Sequence, residues 1–221
     1  MKTMKTSKII LIGFFSLASL FLLSLLIQVD SNKQDQRFQQ ASIALPQFKH
    51  LVLLNSANVD ILQTKTDSAI VQFDSKTEAV FPEFELNGDT LVLSWPNHNE
   101  NWGRTIICSD LKTITVKNSR LNMNEFASDS IRIFAESGEI HINSKVKIDY
   151  ISLELSQKSF AMIYGPIVKS VDADVKNSRA ELHIEQLGEL RAELQDSSTL
   201  STWKVLHTDV RSDTMSRYYS Q

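Results

Sequence analysis

The sequence predicts an all-β protein: one parallel β-solenoid (β-helix) with coils of about 19–20 residues, preceded by a single N-terminal transmembrane helix. Three observations predict it. The pentapeptide VKNSR occurs at Val116–Arg120 and again at Val175–Arg179. Around and between the copies, apolar and polar residues alternate with a period of two, the signature of strands with one buried face. Ahead of these repeats, Ile9–Val29 runs without a single charged side chain.

The N-terminal elements come first. Residues 1–8 hold Lys2, Lys5 and Lys8 with no acid, and the 21 residues of Ile9–Val29 follow. As a helix they would reach about 31 Å, enough to cross a bilayer's hydrocarbon core. A cleavable signal peptide has a shorter apolar run, about 7–15 residues, and a small-residue cleavage site. The sequence LLIQVDSNKQDQ supplies no good site, and no cysteine follows to accept a lipid. The expectation is therefore an uncleaved signal anchor at 9–29, with a cleaved signal peptide as the alternative. In either case 1–8 stays cytoplasmic and the rest is exported, periplasmic or extracellular, on a single-pass cell-membrane protein. Residues 30–46, polar and rich in Gln up to Pro46, read as a linker, and 47–221 as the solenoid domain.

Composition narrows the partners. The formal charge of −3 becomes −3 − 3 = −6 once the three leading lysines are set aside. A mildly acidic exported domain is a poor fit to nucleic acid. Cys108 is the single cysteine, so no intramolecular disulfide forms, and its setting TIICSD suits a small buried apolar residue.

The repeats can be set in register by stepping back from a polar corner. With corners at Ser119, Gly138, Lys158, Ser178 and Ser197, the positions three, five and seven before each should point inward. They are Val116, Ile114 and Lys112; Ala135, Ile133 and Ile131; Leu155, Leu153 and Ile151; Val175, Ala173 and Val171; Leu194, Ala192 and Leu190. Fourteen of these fifteen are apolar. A second strand follows each corner, with inward pairs Leu121/Met123, Ile140/Ile142, Phe160/Met162 and Ala180/Leu182. Asn118, Ser137, Gln157, Asn177 and Asp196 precede the corners as turn formers able to bond from coil to coil. The same register sets a last corner at Ser216. It turns Asp209, Arg211 and Asp213 inward as a charged cap, with Tyr218 closing the apolar interior.

The stretch FKHLVLLNSANVDILQTKTDSAIVQFD (Phe48–Asp74) resembles the opening of the head GIN domain family, described as a "putative auto-transporter adhesin head". NGDTLVLSW at Asn87–Trp95 and the corner-bearing repeats extend the resemblance to the end of the sequence. The family's corners read Ser-Gly-Ser-like, whereas here they read NSR, SGE, QKS, NSR, DSS and MSR, and Gly138 alone keeps a corner glycine. The chain is similar to a divergent member. The resemblance implies a parallel β-helix and an adhesin label, and it supplies no catalytic motif.

No chemistry is spelled out elsewhere. A P-loop, G-x-G-x-x-G, G-x-S-x-G and the calcium-binding G-G-x-G-x-D turn are all missing from the sequence. His50, His98, His141, His183 and His207 show no local zinc spacing, and His141 and His183 fall on outward strand positions. No cofactor, metal or catalytic residue is therefore expected. The loop SWPNHNENWGR (Ser94–Arg104) breaks the strand pattern. Trp95, His98, Trp102 and Arg104 form a candidate recognition loop; in the preferred alternative both indoles cover the open N-terminal end of the solenoid. The expected function is a membrane-anchored, adhesin-like binding or scaffold module of the bacterial cell envelope, without catalysis, holding an envelope protein or glycan. The alternative is an exported polysaccharide-active enzyme, which should stack acids or bases in adjacent coils. The row three past the corners (Asn122, His141, Ala161, Glu181 and Leu200) shows no such stack.

Overall fold

The computed structural model describes residues 39–56, 58–66, 69–75, 82–95 and 104–220, and every regular element among them is a strand. The basic segment 1–8 and the expected membrane helix at 9–29 lie outside the described residues. The strands are β1 (Gln39–Leu45), β2 (His50–Leu54), β3 (Val59–Gln63), β4 (Ala69–Ser75), β5 (Glu83–Asn87), β6 (Thr90–Ser94) and β7 (Arg104–Cys108). They continue as β8 (Thr113–Lys117), β9 (Arg120–Glu125), β10 (Ala127–Glu136), β11 (Glu139–Ile142) and β12 (Lys147–Ser156). The remainder are β13 (Phe160–Lys176), β14 (Arg179–Gln195), β15 (Thr199–Thr202), β16 (Val205–Ser212) and β17 (Arg217–Ser220). β1 lies inside the stretch read as linker, and it pairs with β4.

The strands stack in parallel into two sheets around one apolar interior. The first runs β6–β2–β8–β10–β12–β13–β14–β16. The second runs β7–β3–β9–β11–β13–β14–β15–β17. β13 and β14 are long enough to bend from the second sheet into the first, so each serves both. The order along the chain is not the order in space. The β2/β3 coil sits between β6/β7 and β8/β9, and antiparallel β5 and β4 close the outer side of β6 and β7.

The inward register before the corners holds. All fourteen apolar positions are buried, and Lys112 is exposed. Ile114, Ile133, Leu153, Ala173 and Ala192 stand above one another through consecutive backbone pairings.

The corners explain the repeated Asn-Ser. Asn55, Asn118, Ser137 and Asn177 adopt left-handed φ angles of 49°, 47°, 51° and 48°, a conformation Asn tolerates better than most residues. The next residue then turns its side chain inward. Ser56, Ser119, Ser159, Ser178, Ser198 and Ser216 form a buried column. Ser178 Oγ donates to Lys176 O at 2.8 Å and accepts the Ser159 amide at 3.1 Å. Ser119, Ser159, Ser198 and Ser216 accept an amide from a neighbouring coil in the same way. Buried amides at a bend need such partners. Gly138 takes a serine's place because a Cβ there would stand 3.0 Å from Val116 O.

Two corners carry an extra residue, and this corrects the sequence-based register. Gln157 and Lys158 are both left-handed, as are Asp196 and Ser197. The corner serines are therefore Ser159 and Ser198 in place of Lys158 and Ser197. Past the first, Ala161 and Ile163 point inward, while Phe160 and Met162 face outward. Past the second, Leu200 is buried on Ala180. The charged cap is also overturned. Thr208, Val210 and Ser212 stand over Leu190, Ala192 and Leu194, which leaves Asp209 and Arg211 outward. The cause is the turn after β16, where the Asp213 carboxylate accepts the amides of Met215 and Ser216 and adds a residue before Ser216. Tyr218 does pack against the core above Leu200, its hydroxyl 2.9 Å from Thr202 Oγ1.

Candidate functional site

Strand alternation sends every second residue of the second sheet outward, and parallel stacking lines those residues up about 4.8 Å apart. One row reads Arg120, Glu139, Phe160, Arg179, Thr199 and Arg217. The next reads Asp60, Asn122, His141, Met162, Glu181, Ser201 and Tyr219. Tyr164 and His183 pair in a third row, beside Trp203.

Two Glu-x-His pairs, two coils apart, organise this face. Glu139 accepts from Arg120 Nε at 2.7 Å and lies 2.6 Å from His141 Nε2. Glu181 is ion-paired with Arg179 and stands 3.1 Å from His183 Nε2. The rings continue the network. His141 meets the Phe160 ring edge-on at 5.9 Å, and Arg179 lies 5.9 Å from the centre of that same ring. Tyr164 stacks on His183 at 4.8 Å, and Trp203 meets His183 edge-on at 5.2 Å. Tyr164, Trp203 and Tyr219 remain 39%, 48% and 46% exposed, so solvent reaches large aromatic surface held by rigid neighbours.

At Glu139 the electrostatics hold an ionised carboxylate rather than a proton donor. Burial pushes the Glu139 carboxyl up, but hydrogen bonds from His141 and Arg120 and their charges outweigh it, leaving the group below its ordinary range. A general acid needs the opposite shift. Among the described residues no group of His, Cys, Asp and Glu could hold a metal ion. Exposed Tyr, Trp and Arg on a firm scaffold are the side chains that dominate recognition surfaces.

The residues singled out from the loop fare differently. Trp95 and Arg104 are 2% and 4% exposed. The Arg104 guanidinium lies 4.7 Å from the centre of the Trp95 ring, close enough for a cation–π contact. Arg104 occupies an inward position of β7, opposite Val59. These two residues therefore belong to the interior of the N-terminal end. His98 and Trp102 lie outside the described residues. The Glu-x-His face had a sequence signal, since EIHI at Glu139–Ile142 returns as ELHI at Glu181–Ile184.

The first sheet's outer face carries a feature the row considered from sequence could not reveal. Two members of that row, Ala161 and Leu200, are buried. On the first sheet Glu154, Asp174 and Glu193 occupy consecutive coils, with Asp172, Arg191 and Arg211 beside them, all exposed.

No protein-family model matches the chain, and no curated protein matches it in sequence. Solved structures do match. A "putative adhesin" from Bacteroides fragilis NCTC 9343 superposes with a TM-score of 0.61 at 10% identity, over 83% of this chain and 97% of that one. A "putative adhesin" from Parabacteroides distasonis ATCC 8503 gives 0.50 at 11% identity, over 84% and 97%. At such identities the likeness is one of fold: this chain is a β-solenoid of the kind found in bacterial proteins that carry the adhesin name.

Proposed function

We propose that the chain is a non-catalytic, adhesin-like binding module of the bacterial cell envelope, held outside the cytoplasmic membrane by the apolar segment 9–29. The contact surface is the outer face of the second sheet, and the ligand is an envelope glycan or protein. One observation carries this reading: Tyr164, His183 and Trp203 form a continuous, partly exposed aromatic cluster beside carboxylates already held by Arg and His. Aromatic faces and edges with fixed polar neighbours suit sugar rings and peptide side chains alike. The likeness to adhesin-named folds supports the class of function and leaves the ligand to experiment. Binding of the full chain to purified envelope polysaccharides and proteins tests it. Tyr164→Ala and Trp203→Ala should each weaken binding with melting temperature retained, and undiminished binding by both would remove the surface from consideration. Intact-mass measurement on protein taken from membranes tests the anchor, which predicts that residues 1–29 remain attached.

The polysaccharide-active enzyme is the second reading, favoured by the carboxylate column Glu154–Asp174–Glu193. Those exposed side chains line a concavity of about 490 Å³ that lies largely open to solvent, short of the closed site that excludes water in glycoside chemistry. Release of reducing ends from envelope polysaccharide, abolished by Glu154→Gln or Asp174→Asn, would establish this reading over the first.

A further inference from the structure

We propose that the chain pairs with a second copy of itself through β16, the two strands antiparallel with Val210 opposite the partner's Val210. Along one side β16 pairs with β14, from Leu187 opposite Val205 to Leu194 opposite Ser212. Among the described residues no register pairing occupies its other side. The strand is eight residues long, VLHTDVRS, and has neither the proline nor the lysine that commonly blunts a free edge.

Hydrogen-bond direction fixes which groups are free. The Asp213 amide donates to Leu194 O at 3.1 Å, toward β14. Backbone groups point to alternate sides along a strand, so those of Thr208, Val210 and Ser212 face the open side. Antiparallel pairing centred on Val210 makes these the hydrogen-bonded positions: Thr208 opposite Ser212 of the second copy, Val210 opposite Val210, and Ser212 opposite Thr208. The intervening non-hydrogen-bonded positions bring side chains closer together. There Asp209 meets Arg211 of the second copy, twice by symmetry, and opposite charges directly across a ladder stabilise it. A shift of the centre by one residue, to Asp209 or to Arg211, sets like charges against each other. The inward side agrees. Val210 is half-buried against the core, and the pairing covers it with its own copy, joining two apolar interiors. The contact is self-complementary and closes as a twofold dimer, so it does not propagate into a fibre.

Sedimentation velocity of the full chain in detergent, with charge variants, tests the register. The wild-type chain should be dimeric. Asp209→Arg and Arg211→Asp should each weaken association about tenfold or more, because each puts like charges opposite twice. The double variant carrying both changes should recover the dimer, since the pairs reform with signs exchanged. A monomeric wild-type chain, or a dimer indifferent to the single changes, overturns the proposal. If a charge variant melts early, Val210→Cys reads the same register without altering charge. Oxidation should give a disulfide-linked dimer with Val210→Cys and none with Val205→Cys. Failure of the Val210→Cys link also overturns it.

Discussion

At the scale of single residues, burial separates groups that can react from groups that cannot. The Cys108 thiol is pushed up to about 12, first by burial and then by the neighbouring charge of Asp110. The thiolate is the reactive form, so the folded protein should resist a thiol reagent at pH 8 and label fully in denaturant. Rapid native labelling would mean that the β7 end opens readily. Glu139 offers the contrasting case of a carboxyl depressed by its partners. A carboxyl whose folded pKa is lowered adds stability that is present above its unfolded value, ordinarily 4.5, and lost as pH falls through the folded value. Melting temperature should therefore drop on acidification below about pH 4.5, less steeply in Glu139→Gln than in the wild-type chain. Equal slopes would show that the Arg120–Glu139–His141 contact contributes nothing to folding. Sequence made half of this legible. The apolar setting of Cys108 was plain, but the Glu-x-His pairs gain meaning only when coils two apart are seen to share one face.

At the scale of the element, the corner is the unit that evolution has to solve again in every coil. A left-handed residue followed by an inward serine does it, and the serine's two bonds make its removal costly. Ser178→Ala takes from the buried Ser159 amide one of its two acceptors, leaving Ser156 O at 3.2 Å, and losing one such hydrogen bond costs about 1 kcal/mol. Chemical denaturation should register that loss, and a change within error would mean that Ser156 O alone satisfies the amide. Close stacking sets the second constraint. A Cβ at Gly188 would lie 2.5 Å from Lys169 O, whereas one at Gly165 would meet nothing nearer than 3.7 Å. Gly188→Ala should destabilise by about 1–3 kcal/mol through overpacking, while Gly165→Ala changes little. Similar melting temperatures for the two would contradict the coil spacing. The alternating pattern revealed the strands before each corner because period-two burial is written residue by residue. It could not reveal whether a corner holds one left-handed residue or two. QKS and DSS look like NSR in length, and the added residue after Gln157 and Asp196 exchanged the inward and outward rows beyond them.

At the scale of the whole molecule, coil order in space departs from coil order in sequence, and this decides where the structure is firm. A simple solenoid has its first coil at one end, open to solvent and quick to fray. Here β2 is flanked by β6 and β8, and β3 by β7 and β9. Leu51, Leu53, Val59 and Ile61 are accordingly sealed from solvent. The local sequence could not announce this. LVLLNSANVDI carries the same corner as later coils, but nothing in it says that residues forty positions onward will cross to its far side. Hydrogen bonds on both edges and burial from both neighbours resist local opening, because exchange requires the surrounding ladder to part. Amide hydrogen exchange should therefore find β2 and β3 as protected as β10 and β12, despite their position early in the chain. β5 and β17 should exchange first, since β5 pairs with β6 alone and β17 with β15 alone among the described strands. Early exchange of the Leu51 and Leu53 amides, on the timescale of β5, would mean that the β2/β3 coil is not held between its neighbours.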